Sequence, residues 1–486
     1  MSFAVAVASA AVLQESLLSS GGASAVRGEE LTAWVAGYCS LLFFAIVGVV
    51  ALAKVAALPM LPHSIQALAG KAGLGVALPY PEHARCAYLD YNATSPIFPE
   101  VSVEMLPFIG EKFGNPSSGH VFGRACREAV ALGRARVAAL LGCSPAEVIF
   151  TSCGSEADNH AILAAIRLGG EGEGEGTEEG HAAGGLRAHV VSTRIEHPAV
   201  TEMLFHLVDE GLISLTCVGV DREGLVSVEE VAAAMRPETI LVTVMHSNNE
   251  VGSLQPIKEI AKLCRERGVL CHTDAAQSVG KVAVKVKELG VDLCTIVGHK
   301  FGAPKGVAAL YVHQRLPPLP PFLHGGGQEN GRRAGTENVM LIAGMGRAAE
   351  VVEREGPRLA WHMRAMRDRL WGRLCDGLGK GRLVRNGPVE DALRLPNTLS
   401  VAARGVGAAG LLAQLSETVA ASAGAACHGA GGVTMSPVLN AMGVSEEVAR
   451  GTLRLSVGRH TTAEEVDRAV AALVREAKAA LVHAHS

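Results

Sequence analysis

From Tyr88 onward the chain alternates short apolar runs with amphipathic stretches, and this alternation restricts the fold more than any other feature. The runs at 148–151, 189–193, 240–245, 269–273, 293–297 and 308–312 read as strands. Strands separated by helical patterns imply βαβ units and a parallel sheet. In open α/β sheets, ligands bind beyond the carboxyl ends of the strands. The residues just past these runs are therefore the first place to look for chemistry. They include Ser152-Cys153-Gly154-Ser155-Glu156, Glu196-His197, His246-Ser247-Asn248-Asn249-Glu250, Asp274-Ala275-Ala276-Gln277 and Gly298-His299-Lys300. Polar and ionisable groups gathered at that many strand ends point to one shared site.

Composition narrows the function classes. With 49% hydrophobic and 19% charged residues, the chain can build a core and does not resemble a disordered segment. Lys and Arg number 44 against 48 Asp and Glu, so no basic excess exists to neutralise phosphates. Aromatics make up only 4%, too few for platforms that stack bases, and nucleic acid is not an expected partner. The 11 cysteines include no CxxC pair, which argues against a disulfide framework or a zinc site and favours a reducing compartment. No metal is expected.

Three pieces of the site combine into one chemistry. Gly154-Ser155 opens a helical run, placing backbone N–H groups where phosphate binds well. Alone, this would read as an ordinary serine cap. Asp274 ends an apolar run, where a carboxylate is expensive unless it meets a cation. Lys300 follows a strand within a Gly- and Pro-rich turn that allows close approach of a ligand. A lysine amine, a carboxylate for a pyridinium nitrogen and a phosphate-binding helix end are the groups that pyridoxal phosphate requires.

Longer motifs carry a resemblance. They are Tyr88-Leu89-Asp90-Tyr91-Asn92-Ala93-Thr94, Gly114-Asn115-Pro116-Ser117-Ser118, Asn248-Asn249-Glu250-Val251-Gly252 and His272-Thr273-Asp274. Gly325-Gly326-Gly327-Gln328-Glu329, Ala334-Gly335-Thr336-Glu337-Asn338, Gly424-Ala425-Ala426-Cys427 and Leu453-Arg454-Leu455-Ser456 follow in order. Through these the chain resembles the class V aminotransferase-like enzymes, in their cysteine desulfurase and selenocysteine lyase branch. The resemblance implies an α/β, fold type I pyridoxal-phosphate enzyme. A large, mostly parallel seven-stranded sheet domain would be joined by a smaller α+β C-terminal domain. It also implies a homodimer. Lys300 matches the Schiff-base lysine, Asp274 the pyridinium partner, His197 the imidazole stacked on the ring and Gln277 the donor to its phenolic oxygen. Asn249 lies in a cofactor-contact motif. Gly154, Ser155 and His299 match phosphate contacts, and Thr336 matches a contact to the neighbouring subunit's cofactor. Arg454 matches the substrate-carboxylate arginine, with Asn92 as a further substrate contact. Cys427 matches the catalytic loop cysteine that handles the departing chalcogen.

Departures from the desulfurase pattern favour one reaction. Val297 stands where many desulfurases carry Ser, and Ala276 where bacterial ones carry Thr. These residues, together with Ala425-Ala426-Cys427-His428, look like the selenocysteine lyase branch. The expected reaction converts L-selenocysteine to L-alanine and selenide-level selenium. The alternative is a cysteine desulfurase that forms a persulfide on Cys427, and either enzyme would need an acceptor for the released chalcogen. The expected domains are an extension at 1–85, a cofactor-binding domain at 86–345 with a contribution to the small domain from its first residues, and a small domain at 346–486.

The extension differs from the rest. Residues 31–53 carry no charge, and a helix of that length spans about 35 Å, enough for a bilayer core of roughly 30 Å. Glu29 and Glu30 precede the run and Lys54 follows it, so the positive-inside rule would leave the catalytic part facing the cytoplasm. A targeting peptide or a docked helix fits the same composition. Residues 169–185, built on Glu-Gly repeats, read as a solvated surface loop.

Overall fold

The structure, a computed structural model, describes residues 86–170, 188–427 and 433–483. The candidate membrane run at 31–53 and His428 lie outside the described residues. Among those described, no helix is long and apolar enough to cross a membrane.

Seven strands form the main sheet: β2 (Val148–Thr151), β3 (Ala188–Thr193), β4 (Ile213–Val218), β5 (Thr239–Thr243), β6 (Leu270–Asp274), β7 (Leu293–Val297) and β8 (Ala308–Val312), counting from a short β1 (Ala87–Tyr88). Their order is β2-β8-β7-β6-β5-β3-β4, and β8 alone runs antiparallel to its neighbours. The central strands β6, β7 and β8 are buried almost throughout, as expected when helices cover both faces. Six of the strands follow the apolar runs. The seventh, β4, is an edge strand whose middle residues, Ser214 to Cys217, are only half-buried, so it carries no continuous apolar signal. The helix Gly154–Gly170 takes in the first two residues of the expected Glu-Gly loop; the remainder falls at 171–187, outside the described residues.

A second, antiparallel sheet is built from β9 (Leu383–Asn386), β10 (Thr398–Ala403), β12 (Ser422–Ala423) and β15 (Thr452–Ser456), in the order β12-β15-β10-β9. Here β11 (Val419–Ala420) pairs instead with β1, and β13 (Ala425–Cys427) forms a hairpin with β14 (Val433–Met435). The helix Val339–Leu378 serves both sheets. Ile342, Met345 and Val352 join the core of the large sheet, whereas Leu359, Met363 and Leu370 join Leu399, Leu453 and Leu455. Pro357 lies between these two sets. Residues 345 and 346 both lie inside this helix. It crosses the helix Val121–Leu141 closely: a Cβ on Gly346 would come within 2.5 Å of the Gly133 backbone. Only glycine permits that approach.

Candidate active site

The strand order sets which loops meet. β2, β3, β5, β6 and β7 all run in one direction, so their carboxyl ends share one edge of the sheet. A cavity of about 230 Å³ opens there, lined by Gly154, Ser155, His197, Asn249, Asp274, Gln277, His299 and Lys300. Those expected cofactor contacts therefore converge within one chain. Gly154 starts its helix against β7, where a Cβ would come within 2.7 Å of Val297 Cγ2. The glycine keeps the helix terminus close to the sheet edge.

Lys300 ends a single 3₁₀ turn, Gly298–Lys300, directly after β7. Its Nζ donates to the carbonyl oxygens of Asn92 and Ala93, each at 2.8 Å. Burial pulls the amine down to about 8, helped by the positive charge of Arg454 and opposed by Asp274 and Asp90. An amine in this range has an accessible neutral form near physiological pH, which suits a nucleophile or general base.

Asp274 is buried at the end of β6, and its Oδ1 accepts from the Ala276 N–H at 2.8 Å. Burial pushes the carboxyl up, against the pull of that N–H, His197 and Lys300. Among the described residues no side-chain cation pairs with it within salt-bridge distance. Asp158, one turn into the phosphate-end helix, also lines the cavity and has a buried Oδ1 without a hydrogen-bond partner. Two buried acids facing one cavity leave room for a positively charged or N–H-bearing ring.

The histidines are held neutral. His197 caps the helix Pro198–Asp209, its Nδ1 accepting from the Ala199 N–H at 3.1 Å. That bond requires the neutral ring to carry its proton on Nε2. Burial lowers its basicity, with Asp274 opposing and Lys300 assisting. His299 is pulled down to about 4 by burial and by Lys300 and Lys305, and its Nδ1 lies 3.1 Å from Thr94 Oγ1. Behind His197, burial raises Glu196 to about 8, with Thr193 Oγ1 and the Met245 N–H donating to its Oε1.

Other expected residues lie apart from this cavity. Arg454 sits on β15 opposite Ser422 and Ser400, lining a neighbouring cavity of about 310 Å³. Its Nη2 donates to Asp90 Oδ1 at 2.8 Å and Ser422 Oγ at 2.7 Å, and its Nη1 to the Asn249 carbonyl at 3.4 Å. The guanidinium is thus aimed by Asp90 and tied to the cofactor-side loop. Glu250 lines the same cavity and accepts from Ser436 Oγ at 2.6 Å, next to the foot of the β13–β14 hairpin. Cys427 ends β13, its backbone in register with Val433. Thr336 is exposed beside a separate cavity that includes Glu329 and Arg333. Asn92 lies beneath the Lys300 cavity with its amide fully engaged. Nδ2 donates to Thr398 Oγ1 and the Asn249 carbonyl, and Oδ1 accepts from Lys281 and Asn397.

Sequence reasoning did not single out Asp90, Asp158 or Lys281. Lys281 has a readable signal in retrospect, because it follows Gln277 by four residues and is flanked by Val279, Val282 and Val284.

A family model for aminotransferase class-V matches residues 87–469. The chain belongs to this family. It is 42% identical to selenocysteine lyase of Bos taurus over 408 residues, covering 80% of this chain and 93% of that protein. It is 41% identical to cysteine desulfurase IscS of Clostridium botulinum over 384 residues, covering 78% of this chain and 91% of the relative. Among solved structures, a NifS-like protein superposes with a TM-score of 0.72 at 33% identity, covering 80% of this chain and 99% of its own. The α/β architecture with its mostly parallel seven-stranded sheet is that of fold type I enzymes in this family.

Proposed function

We propose that the chain is a pyridoxal-phosphate-dependent lyase that converts L-selenocysteine to L-alanine and selenium, which a two-electron thiol reductant carries to the selenide level. The observation that carries this reading is the single cavity holding a lysine lowered to about 8, an unpaired buried Asp274 and the helix terminus at Gly154-Ser155. The residues present fit that cofactor: Lys300 as its amine partner, Asp274 at the ring nitrogen, His197 over the ring, and Gly154, Ser155 and His299 at the phosphate. When bound, pyridoxal phosphate supplies an aldehyde for amines and a ring that takes up electrons from the substrate's Cα. Arg454 holds the substrate carboxylate, where a planar fork suits a planar anion. Lys300, in its neutral form, takes the Cα proton. Asp274 keeps a proton on the ring nitrogen. Cys427 attacks the chalcogen as thiolate, so that the bond pair stays on Cβ, which takes a proton to become the methyl group of alanine, and the chalcogen is held on Sγ until an external thiol takes it.

Selenium is favoured over sulfur by the likeness to selenocysteine lyases, and the likeness to desulfurases supports persulfide formation on Cys427 as the second reading. Steady-state rates on both amino acids, with alanine measured as product, test the choice. Much faster turnover of selenocysteine is expected; equal specificity constants would favour the desulfurase.

We assign residues 86–345 to the cofactor lobe, with its first residues contributing to the small lobe, and 346–486 to the lobe that carries Arg454 and Cys427, the helix Val339–Leu378 bridging the two cores. A homodimer is proposed because Thr336 lies away from the Lys300 cavity of its own chain and an apolar patch stands open to solvent. In that patch Phe113 and Ile109 are 72% and 70% exposed, and Phe113 stacks on Phe122 with ring centroids 5.4 Å apart. Phe113→Asp is expected to shift the sedimentation coefficient toward monomer. An unchanged dimer would remove this patch from the interface.

From composition and flanking charges alone, we propose that residues 31–53 are either a membrane-associating segment that leaves the lyase facing the cytoplasm or a targeting segment. Full-length protein should resist carbonate extraction, whereas a chain starting near His83 should be extracted and retain activity. Release of the full-length protein by carbonate would remove the membrane assignment.

A further inference from the structure

We infer that Lys281 is a positioning residue that turns the Gln277 amide so that its N–H, not its oxygen, faces the cofactor cavity. The inference rests on the pyridoxal-phosphate reading above.

Lys281 is 5% exposed and lies at the turn that follows Asp274. Its Nζ donates to Asn92 Oδ1 at 3.0 Å and to Gln277 Oε1 at 2.6 Å. Among the described residues no carboxylate forms a salt bridge with it. The amide orientations follow from groups that can only accept. Asn92 Nδ2 donates to the Asn249 carbonyl, which turns Oδ1 toward Lys281. Gln277 Nε2 donates to the Asn92 carbonyl at 2.9 Å, which turns Oε1 toward Lys281. Each end of both amides therefore has a defined partner.

The surroundings suit a neutral amine. Burial, with the positive charge of Lys300 and Arg454, pushes Lys281 well below the usual lysine range. A neutral amine keeps two N–H groups, matching the two oxygens it meets. Lys300 and Gln277 also share the Asn92 carbonyl, so Lys281, Gln277 and Lys300 belong to one hydrogen-bonded unit. Without Lys281, Gln277 Oε1 would be buried without a donor, and only the bond from Nε2 to the Asn92 carbonyl would still resist a turn that brings that oxygen to the cavity. An oxygen there repels the phenolic oxygen of the cofactor, whereas an N–H stabilises it.

The test uses the purified, cofactor-loaded protein and reads its visible absorption across pH, not its turnover. Lys281→Met is expected to raise the ionisation midpoint of the lysine-bound cofactor by roughly one pH unit, as loss of one hydrogen bond to a charged group would. Gln277→Leu should raise it similarly, and the double variant should add nothing further. Lys281→Gln, which keeps a donor without charge, should stay near the wild-type midpoint, and Lys281→Leu repeats the loss of the donor if the Met variant folds poorly. A wild-type midpoint in a Lys281 variant that lacks a donor would overturn the inference. A full additional shift when Lys281→Met is placed on Gln277→Leu would also overturn it, because Lys281 would then act independently of the amide. A wild-type protein that takes up no cofactor would count against the pyridoxal-phosphate reading itself.

Discussion

Lys300→Ala is expected to abolish the reducible lysine–cofactor adduct and to lower turnover by at least about 10³-fold, within the range that a positioned proton-transfer group contributes. Borohydride reduction and peptide mapping of the wild type should place the adduct on Lys300. An adduct on Lys305 would move the assignment five residues along the same turn. The pH profile supplies an independent check. The amine lies at about 8 in the free site and acts as a base only when neutral. In the reacting complex its active fraction is the neutral one, which shrinks as pH falls. Turnover should rise with pH on the acid side and reach a plateau once Lys300 is neutral. A profile flat from about pH 6 to about pH 9 would mean that another group takes the Cα proton.

The pattern of strand ends made this cavity legible before any coordinates. β2, β7 and β8 begin and end where their apolar runs do, since buried strands leave an uninterrupted signal. Asp274 and Lys300 were readable because a charge at the end of such a run has few structural uses. β4 was not readable, because an edge strand buries only part of its side chains and its polar residues interrupt the run. Asp158 and Lys281 were hidden for a different reason. Helical and turn positions of this kind are usually solvated, and only the packing of distant segments buries them. Asp90 shows the same limit: its bond to Arg454 joins residues 364 positions apart. Arg454 could be found as a motif, but its setting between Asp90, Ser422 and the Asn249 carbonyl is a property of the assembled sheets.

That setting bears on how the two lobes divide the reaction. Arg454 belongs to the smaller sheet, yet its guanidinium contacts the loop after β5 through the Asn249 carbonyl. On the proposed reading, the substrate's carboxylate and its reacting Cα are handled by different sheets. Cys427 belongs to a third element, the hairpin of β13 and β14, whose foot is tied to the large sheet through Ser436 and Glu250. Loss of the thiol should therefore leave both other functions in place. This makes Cys427 the residue that separates the two candidate reactions.

Cys427→Ala is expected to lower turnover of cysteine by about 10²-fold or more, the scale associated with a positioned proton-transfer group. Selenocysteine turnover should survive in part. The Cβ–Se bond is weaker than Cβ–S, so an external thiol can take selenium from Cβ, leaving the bond pair on carbon, with less help from the protein. Removal of sulfur depends on attack by the Cys427 thiolate to form a persulfide. In the variant, Lys300 and Arg454 still activate and hold either substrate, so a common loss would not follow from damaged binding. The wild type should favour selenocysteine strongly, because sulfur retained as a slowly released persulfide holds back the cysteine reaction. The deciding measurement is the ratio of specificity constants for the two amino acids, in wild type and variant. A wild-type ratio near one, with a stable persulfide passed to a protein acceptor, would establish sulfur transfer as the main reaction.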